Sequence, residues 1–538
     1  MEKQRENERT DPWSPLKGRA FRIIWMATLC SNIGSWMQEV GAGWLMTSLA
    51  PDPLMVSLVQ TATTIPFFLL AVPAGALADI IDRRRYLIGT QIWMAVSAAI
   101  LGILTLAGLT TAWTLLLLTF CLGIGAAMMM PAWGAIVPEL VRQNELLPAI
   151  ALNTIAMNLA RAIGPALAGI IIAAIGPGAV FILNALSFFA VIIAIKKWQR
   201  YPNTSNLPQE RLKGAIRTGI RYARYSPELR AALARGAAFF IFAGAPWALL
   251  PLIVRQQLQS GPGTYGLMLA CIGVGAICGA LVLPHIQGRI SRDMTVAGAT
   301  LTYAFAMLGL AYSTEVIAAV PAMLVIGFSW MTVFSSLTTA VQIALPGWVR
   351  ARGLALHWVI YTSGFAMGSV IWGKIASVVD IPTALTFAAI GAIVGIIAAW
   401  RFEIGRHDTI DLSPSLNWTT PLESDPHEMD RGPIMVTVEY EIDARNQREF
   451  VRALRELKRV RQRNGAYMWE VLCDVNRPGI MVETFMVESL VEHLRQRERM
   501  TVADTVKRDI VRKFHIGKEP PKITRLLGLT RQKRVRLR

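Results

Sequence analysis

Long apolar segments recur along the chain as far as Arg401 and are separated by short polar loops. Several of these segments hold about twenty residues with almost no charge, which is the length a helix needs to span roughly 30 Å of hydrocarbon. The chain is 53% hydrophobic and 17% charged, whereas globular proteins carry about 25% charged residues. The sequence therefore predicts a polytopic helical membrane protein and excludes an ordinary soluble fold.

The apolar segments predict twelve membrane-spanning helices in two groups of six. A longer polar connection that begins at Trp198 separates the two groups. The predicted spans lie near residues 21–47, 54–79, 86–108, 112–138, 146–173, 177–197, 234–256, 264–287, 294–313, 316–343, 352–378 and 381–401. The expected fold class is thus all-α in the membrane, with two six-helix halves.

Basic residues alternate from loop to loop. Odd-to-even loops connect an odd-numbered span to the next span, and even-to-odd loops connect an even-numbered span to the next. The odd-to-even loops, such as "LAPDP" and "IGPG", contain no Lys or Arg, although Arg255 and Lys374 lie nearby. The even-to-odd loops contain Arg83, Arg84, Arg85, Arg142, Arg289, Arg292, Arg350 and Arg352. Lys and Arg concentrate in cytoplasmic loops, so both termini are predicted to be cytoplasmic. The same distribution explains the net charge of +18 without a nucleic-acid partner and predicts contact with an anionic inner leaflet.

The chain is predicted to have six parts. Its middle loop includes a basic amphipathic helix, "RLKGAIRTGIRYARY", which either lies on the inner leaflet or is a solvated linker helix. The parts are a cytoplasmic N-terminal segment (1–20), an N-terminal six-helix bundle (21–197), the cytoplasmic middle loop (198–233), a C-terminal six-helix bundle (234–401), a linker (402–432) and a cytoplasmic domain with a basic tail (433–538).

The C-terminal part changes periodicity. "IMVTVEYEI" alternates as a strand, "ARNQREFVRALRELKRVRQRNG" is typical of a helix that ends at Gly465, and "NRPG" predicts a hairpin turn between two further strands. Two helical segments follow from Ser489 onwards. The β-α-β-β-α order predicts a small ferredoxin-like α+β domain.

The stretch "GALADIIDRRRYLI", Gly75 to Ile88, places an acid at the C-terminal end of the second span. A helix dipole disfavours an acid there unless a partner compensates it. Gly75, Leu77, Asp79 and the arginines from Arg83 resemble the loop 2–3 signature of the major facilitator superfamily, although Ile80 and Asp82 depart from it. The resemblance, together with two parallel six-helix halves, implies a secondary transporter that works by alternating access.

A cytoplasmic gate follows from this resemblance. Asp79 is expected to face the N-terminus of the eleventh span, and the arginine run to reach Glu139 at the end of the fourth. Such contacts would form in the outward-open state and break in the inward-open state. The alternative is that the arginines only fix topology. The predicted gate residues are Gly75, Asp79, Arg83, Arg84, Arg85, Glu139, Arg350 and Arg352.

Two charged residues lie inside predicted spans of the N-terminal half, Glu39 in the first and Arg161 in the fifth. A charge in the membrane interior normally faces a cavity and has a partner, so we expect the two to pair. A carboxylate that alternates between a cation-paired and a protonated state can carry a proton. The alternatives are a fixed structural ion pair, or a Glu39 near the outer interface.

The fifth span also contains "RAIGPALAG", in which Gly164, Pro165 and Gly169 resemble an exporter motif of the superfamily. Small residues there allow close packing against the opposite half. Polar and aromatic residues are expected to line a substrate cavity, although Trp and Asn are more often interface anchors or helix contacts. The predicted cavity residues are Asn32, Trp36, Gln38, Asn158 and Trp358, with Trp44, Asn153 and Trp330 as further candidates.

The C-terminal domain resembles the antibiotic-biosynthesis-monooxygenase-like tail of one transporter subfamily, which includes enterobactin-exporter relatives and transmembrane secretion effectors. The resemblance depends on "SLVEHLRQRERMT" and on Gly465, Trp469, Arg477, Pro478, Gly479 and Glu483. Arg497 replaces an expected histidine, and no nucleophile–base set is visible, so no catalytic, cofactor-binding or metal-binding residue is predicted. The domain is expected to dimerise, regulate or sense.

These features together predict an exporter of a siderophore, drug or metabolite, driven by protons and located in a bacterial cytoplasmic (inner) membrane. ATP drive is not expected, because no GxxxxGK[ST] motif occurs. Two alternatives remain open: an enzyme that acts through the C-terminal domain, and a membrane-bound sensor or scaffold.

Overall fold

A computed structural model describes residues 12–198, 212–404 and 432–528. Contacts divide the chain into two compact units. The first is drawn from Met1–Pro208, Leu233–Thr338 and His357–Arg401. The second is drawn from Gln209–Ala232, Thr339–Leu356 and Phe402–Arg538. The second unit therefore combines the C-terminal domain with the middle-loop helix and a segment between the tenth and eleventh predicted spans.

The part of the chain up to Arg401 is helical. The helices are α1 Arg19–Leu49, α2 Pro53–Ile80, α3 Arg83–Leu106, α4 Ala112–Leu140, α5 Leu146–Ile175, α6 Pro177–Lys197, α7 Leu212–Tyr225, α8 Pro227–Leu252, α9 Pro262–Gln287, α10 Arg292–Ala311, α11 Val316–Ile343, α12 Gly347–Val378 and α13 Ile381–Ala399. We call α1–α6 the N-terminal six helices and α8–α13 the C-terminal six helices.

Within the described ranges, eleven helices are long and apolar enough to cross a membrane. They correspond to the second to twelfth predicted spans, which confirms a multi-pass helical membrane protein. The first predicted span forms α1, which is not among the eleven. Its polar residues, Asn32, Gln38 and Glu39 among them, lower the mean hydropathy of that helix.

Short polar residues set the starts of several helices. The Asp82 carboxylate accepts a hydrogen bond from the Arg85 amide at 3.0 Å at the start of α3, and Asp380 accepts from the Thr383 amide at 2.7 Å at the start of α13. Such caps satisfy backbone donors that the first turn of a helix leaves unpaired. Asp82, where the superfamily signature has glycine, therefore has a local structural role.

Close packing of small residues joins the two groups of six helices. A Cβ atom on Gly266 of α9 would lie 2.4 Å from the Pro165 carbonyl oxygen of α5, and one on Gly169 would lie 2.8 Å from the Pro262 carbonyl oxygen. Only glycine permits backbones to approach this closely. Further along the same helices, a Cβ on Gly273 would lie 2.9 Å from the Ala162 Cα.

The second unit contains a four-stranded sheet. Its strands and helices are β1 Ile434–Glu441, α14 Gln447–Asn464, β2 Met468–Cys473, β3 Ile480–Val487, α15 Leu490–Glu498, α16 Val502–Arg512 and β4 Lys522–Leu527. The strand order is β2-β3-β1-β4, and all neighbouring pairs are antiparallel. A small α+β domain is thus confirmed.

One face of this sheet packs on α14. Alternate β1 residues from Ile434 to Tyr440 are buried together with Phe450, Leu454 and Leu457 of the helix. Gly465, with φ +139°, ends α14, and Gly479, with φ +96°, closes the hairpin. Both conformations favour glycine.

The sequence did not predict β4, whose residues are mostly exposed. Pairing with β1, in which Ile523 lies opposite Val438, fixes it as an edge strand. Because its short segment lacks a strong apolar alternation, its neighbour determines its conformation.

The middle-loop helix α7 contacts α14 within the second unit. Tyr222 of α7 is 1% exposed, and its ring lies 5.7 Å from that of Trp348 and 5.3 Å from the Arg463 guanidinium. A solvated linker helix therefore does not describe α7, which packs against the α+β domain along its described residues. Burial raises the pKa of Tyr222 to about 12, so the phenol stays neutral at physiological pH.

Candidate functional site

A cavity of about 210 Å³ lies among the N-terminal six helices. All six helices contribute to its lining, which is a mixture of uncharged polar, apolar and aromatic side chains. Asn32, Gln38, Thr119 and Asn184 supply hydrogen-bonding groups, while Phe188 supplies an aromatic surface. A mostly apolar and aromatic lining with a few polar groups is typical of small-molecule sites.

Glu39 and Arg161 both line this cavity, as the only acid and the only base among its described lining residues. No ion pair within 4.0 Å joins them in the described part of the chain. The Arg161 guanidinium instead lies 5.5 Å from the ring centroid of Trp36 and 5.0 Å from that of Trp330. Two indole rings therefore hold the cation, and the carboxylate faces the same space without a direct ionic contact to it.

Three of the five predicted cavity residues line the cavity, namely Asn32, Trp36 and Gln38. The buried Gln38 side-chain oxygen accepts a hydrogen bond from Asn184 Nδ2 at 3.3 Å, which joins α1 to α6. Asn158 lies outside the lining and donates to the Thr154 carbonyl of its own helix at 3.0 Å. Trp358 also lies outside it.

Trp358 belongs instead to an aromatic cluster between α11 and α12. Its ring lies 5.7 Å from Phe334 and 5.5 Å from Tyr361. Trp330 stacks on Phe334 at 5.2 Å in the same cluster. Trp330, which the sequence analysis named only as a further candidate, thus contacts Arg161 from the C-terminal six helices.

The residues of "RAIGPALAG" lie where α5 is most closely packed. A Cβ on Gly164 would lie 2.6 Å from the Trp36 Cβ, so this glycine lets α1 bring Trp36 close to Arg161. The carbonyl of the next residue, Pro165, and Gly169 about one turn later both lie against α9. The segment therefore packs against α1 and the opposite six helices at once.

The predicted gate residues are distributed over both units. Arg83 Nη1 donates to Glu139 Oε1 at 2.7 Å, which joins α3 to α4. Arg84 Nε donates to the Ile195 carbonyl at 3.2 Å, and its Nη2 donates to the Lys196 carbonyl. Because these contacts all lie within the N-terminal six helices, they do not by themselves connect the two halves.

The remaining predicted gate residues are Gly75, Asp79, Arg85, Arg350 and Arg352. The Asp79 side chain lies outside the described residues, and no atom of the described residues lies within 4 Å of a Cβ built on Gly75. Arg350 and Arg352 belong to the second unit, where Arg350 Nη2 donates to the Leu345 carbonyl at 3.5 Å. The Arg85 side chain is exposed.

Arg255 is an interhelical contact that the sequence analysis did not select. Its Nη1 donates to Thr47 Oγ1 at 2.8 Å and to Ser48 Oγ at 2.6 Å, and its guanidinium lies 5.7 Å from Trp44. Arg255 follows α8, whereas its partners lie at the end of α1. The sequence feature that could have identified Arg255 is its position as a basic residue beside an odd-to-even loop.

A buried ion pair lies inside the α+β domain. Glu483 is fully buried; it accepts from Arg461 Nε at 3.2 Å and from Trp469 Nε1 at 3.0 Å. Two residues on which the resemblance of this domain depends thus hold the sheet to α14. Arg477 Nε donates to Asp474 at 2.7 Å in the hairpin, and this hydrogen bond lowers the pKa of the Asp474 carboxyl. The Arg497 side chain lies outside the described residues.

Known proteins resemble this chain along most of its length. The sequence profile of the family described as "Transmembrane secretion effector" matches residues 10–533. The staphyloferrin A transporter of Staphylococcus aureus is 24% identical over 288 residues, which are 53% of this chain and 72% of that protein. The multidrug efflux pump Tap of Mycolicibacterium fortuitum is 24% identical over 397 residues, 70% of this chain and 94% of that protein.

Solved transporters share the fold. A bacterial homologue of the human lysosomal transporter Spinster, in an inward-facing and unoccupied conformation, superposes with a TM-score of 0.55 at 13% identity. The match covers 72% of this chain and 95% of that one. The profile match spans far more than half of the chain, so this protein belongs to the transmembrane secretion effector family of major facilitator superfamily transporters and is a membrane transporter, not an enzyme.

Proposed function

We propose that the protein exports a small amphiphilic molecule from the cytoplasm across a bacterial cytoplasmic membrane, in exchange for protons. The observation that carries this proposal is the cavity in which Glu39 is the only acid and Arg161 the only base among the described lining residues. An ionisable group inside a membrane protein is costly, and it marks an ion or substrate pathway.

Glu39 is the proposed proton carrier. Its carboxylate lines the cavity but has no ion pair with Arg161, so protonation of Glu39 breaks no salt bridge between them. Arg161 supplies the positive charge of the same cavity. A substrate that enters the same cavity would change the surroundings of Glu39. The cavity is therefore proposed to hold either a proton on Glu39 or the substrate, but not both.

The substrate is proposed to be a siderophore, a drug or a related metabolite with aromatic or apolar surface. Trp36, Met94 and Phe188 offer apolar area, and the amides of Asn32 and Asn184 offer hydrogen bonds. Two relatives support this substrate class, one described as a staphyloferrin A transporter and the other as a multidrug efflux pump. Efflux in the second description and the Gly164, Pro165 and Gly169 motif support outward transport.

Alternating access would use both ends of the helices. At the end of the helices where the odd-to-even loops lie, the hydrogen bonds from Arg255 to Thr47 and Ser48 are proposed to hold the transporter closed. At the cytoplasmic end, Asp79 is proposed to contact Arg350 and Arg352 when that end is closed. The ion pair between Arg83 and Glu139, which fixes α3 on α4, supports this proposal. This scheme includes twelve spans, with α1 as the first, and cytoplasmic termini.

For the α+β domain we propose a ferredoxin-like fold, a cytoplasmic location and self-association. The strand order β2-β3-β1-β4 supports the fold. The sheet face opposite α14 exposes Met468, Leu472 and Leu526, each close to half exposed, and this face supports dimerisation. We also propose that the chain consists of the six parts predicted from the sequence, from the cytoplasmic N-terminal segment to the cytoplasmic C-terminal domain.

The test uses inside-out vesicles that contain the protein, with an imposed proton gradient and a panel of a catecholate siderophore, a macrolide and a lipophilic cationic dye. Uptake of a panel member is expected to stop with an uncoupler and with Glu39→Gln. Glu315→Gln, which removes an exposed acid outside the cavity, is the matched control and should transport normally. Uptake that survives both the uncoupler and Glu39→Gln would refute proton coupling through this residue.

A further inference from the structure

A second cavity, of about 50 Å³, lies inside the α+β domain. Its apolar part comes from the helix-facing side of the sheet: Val436 and Val438 of β1, Phe485 of β3 and Ile523 of β4. The opposite side is formed by α15 and α16. A cavity holds one water in about 10–15 Å³, so this one admits a group of a few heavy atoms.

Basic side chains surround this cavity. Arg461, His493, Arg508, Arg512 and Arg525 line it, and they come from α14, α15, α16 and β4. No carboxylate belongs to the lining among the described residues. Glu483 compensates Arg461, and Asp509 approaches Arg508 at 3.2 Å. Neither Arg512 nor Arg525 forms an ion pair within 4.0 Å in the ranges that the structure describes.

The orientation of Arg525 brings its charge to the cavity. Its Nε donates to His493 Nε2 at 3.2 Å, and His493 is 5% exposed. The guanidinium groups of Arg512 and Arg525 line the same cavity without an acid partner among the described residues, so they repel each other unless an anion lies between them.

We propose that this cavity binds the carboxylate or phosphate group of a small molecule, with Arg512 and Arg525 as its ionic contacts and the sheet residues against its apolar part. Arginine forms strong charge-assisted hydrogen bonds to both kinds of oxyanion. The site lies in the second compact unit and is independent of the transport cavity and of the proposed transport function.

The position of α15 connects this site to α7 within the second unit. His493 and Gln496 of α15 line the cavity, and Gln496 Nε2 also donates to the Arg461 carbonyl at 3.3 Å. One residue away, Glu492 accepts from Arg221 of α7 at 3.1 Å. The ligand therefore contacts the same helix that anchors the middle-loop helix.

A second contact extends this connection to α12. Arg499, just after α15, donates to Glu492 at 2.5 Å, and its guanidinium lies 4.7 Å from the ring of Trp348. Trp348 lies in the first turn of α12, the eleventh predicted span. Occupancy of the cavity would thus act on a cluster that includes both α7 and the start of a predicted span.

The test is calorimetric titration of the full-length protein in nanodiscs at constant ionic strength, with inorganic phosphate and benzoate as the two anionic probes and neutral benzamide as the reference. Saturable binding of phosphate, of benzoate or of both is expected, and the stronger probe identifies the oxyanion. Arg512→Ala and Arg525→Ala should each weaken binding at least ten-fold, because each removes a charge-assisted hydrogen bond to the oxyanion.

The matched control is Arg459→Ala, which removes an exposed arginine of the same domain that does not line the cavity. It should bind as the wild type does. Both cavity arginines are exposed, so each variant should keep the wild-type unfolding temperature, and Arg525→Lys should retain most of the affinity. No saturable binding of either anion, equal binding of benzamide, or unchanged affinity in both alanine variants would overturn the proposal.

Discussion

The guanidinium of Arg161 lies 5.0 Å from the ring centroid of Trp330 and so joins α5 to α11, one helix from each group of six. Trp36 of α1 contacts the same guanidinium at 5.5 Å. A cation desolvated between aromatic rings gains about 2 kcal/mol. This contact places the cavity charge at the junction between the two halves of the transporter.

Trp330→Leu should weaken this junction. The substitution removes one of two rings that hold the Arg161 side chain, so transport is expected to fall about ten-fold, as a loss near 1.4 kcal/mol predicts. The measurement is the initial rate of uptake in inside-out vesicles. Trp113→Leu, at a position 70% exposed on α4, is the matched control. Equal rates in both variants would show that the contact has no part in transport.

Arg255→Gln should loosen the contact between α1 and the segment after α8. Two hydrogen bonds from the guanidinium to Thr47 and Ser48 are lost, and a charged donor in such bonds contributes about 1.5–3 kcal/mol. We expect a shift toward a state that is open at this end. The shift can be followed by the labelling rate of Ala42→Cys, which lines the cavity, with a membrane-impermeant thiol reagent.

Lys374→Gln is the control for that experiment. It removes an exposed positive charge from α12, near another odd-to-even loop. Its labelling rate should equal that of the parent cysteine variant. A rate that rises equally in both variants would attribute the change to surface charge and not to the Arg255 contact.

Gly266→Ala should destabilise the membrane unit. The new methyl group would lie 2.4 Å from the Pro165 carbonyl, and overpacking of a close helix contact costs about 1–3 kcal/mol. Thermal unfolding in detergent should report a lower midpoint. Gly298→Ala, where nothing lies within 4 Å of the new Cβ, should be neutral or slightly stabilising. If both variants unfolded alike, the α5–α9 contact would not limit stability.

Glu483→Gln should destabilise the α+β domain. It leaves the Arg461 guanidinium largely buried without its carboxylate, and breaking a buried pair in this way costs about 3–5 kcal/mol. Proteolysis and hydrogen exchange of β3 in the full-length protein provide the measurement. Glu470→Gln, on the exposed face of β2, should leave protection unchanged. Wild-type protection in the Glu483 variant would contradict a structural role for the pair.

Asp79→Asn should impair transport if Asp79 belongs to a cytoplasmic gate. The amide keeps the size of the side chain but removes the charge that a helix N-terminus or an arginine would compensate. We expect a lower uptake rate and more of the state open to the cytoplasm. Asp52→Asn, at the exposed cap of α2, is the comparison. Full transport with an unchanged conformational balance in the Asp79 variant would remove it from the gate.

Local patterns determined much of this protein. The lengths of the apolar segments predicted the helices that cross the membrane. Each span must satisfy its backbone hydrogen bonds internally, so it can be recognised from its own segment of sequence. Alternation and turn residues predicted three strands and the hairpin of the C-terminal domain, because strand period and positive φ are local properties. The positions of Glu39 and Arg161 within spans were equally visible in the sequence.

Tertiary packing decided the rest. The sequence showed Arg161 inside a span but not the rings around it, and helix packing placed its guanidinium near both Trp36 and Trp330. It left α7 as a surface or linker helix, whereas Tyr222 is buried against the α+β domain. Strand β4 and the contact of Arg255 with α1 were also set by neighbours far away in the chain. Hydropathy and periodicity fix which segments are buried, but the partners of a buried group depend on how whole helices and sheets pack, and that information is not local.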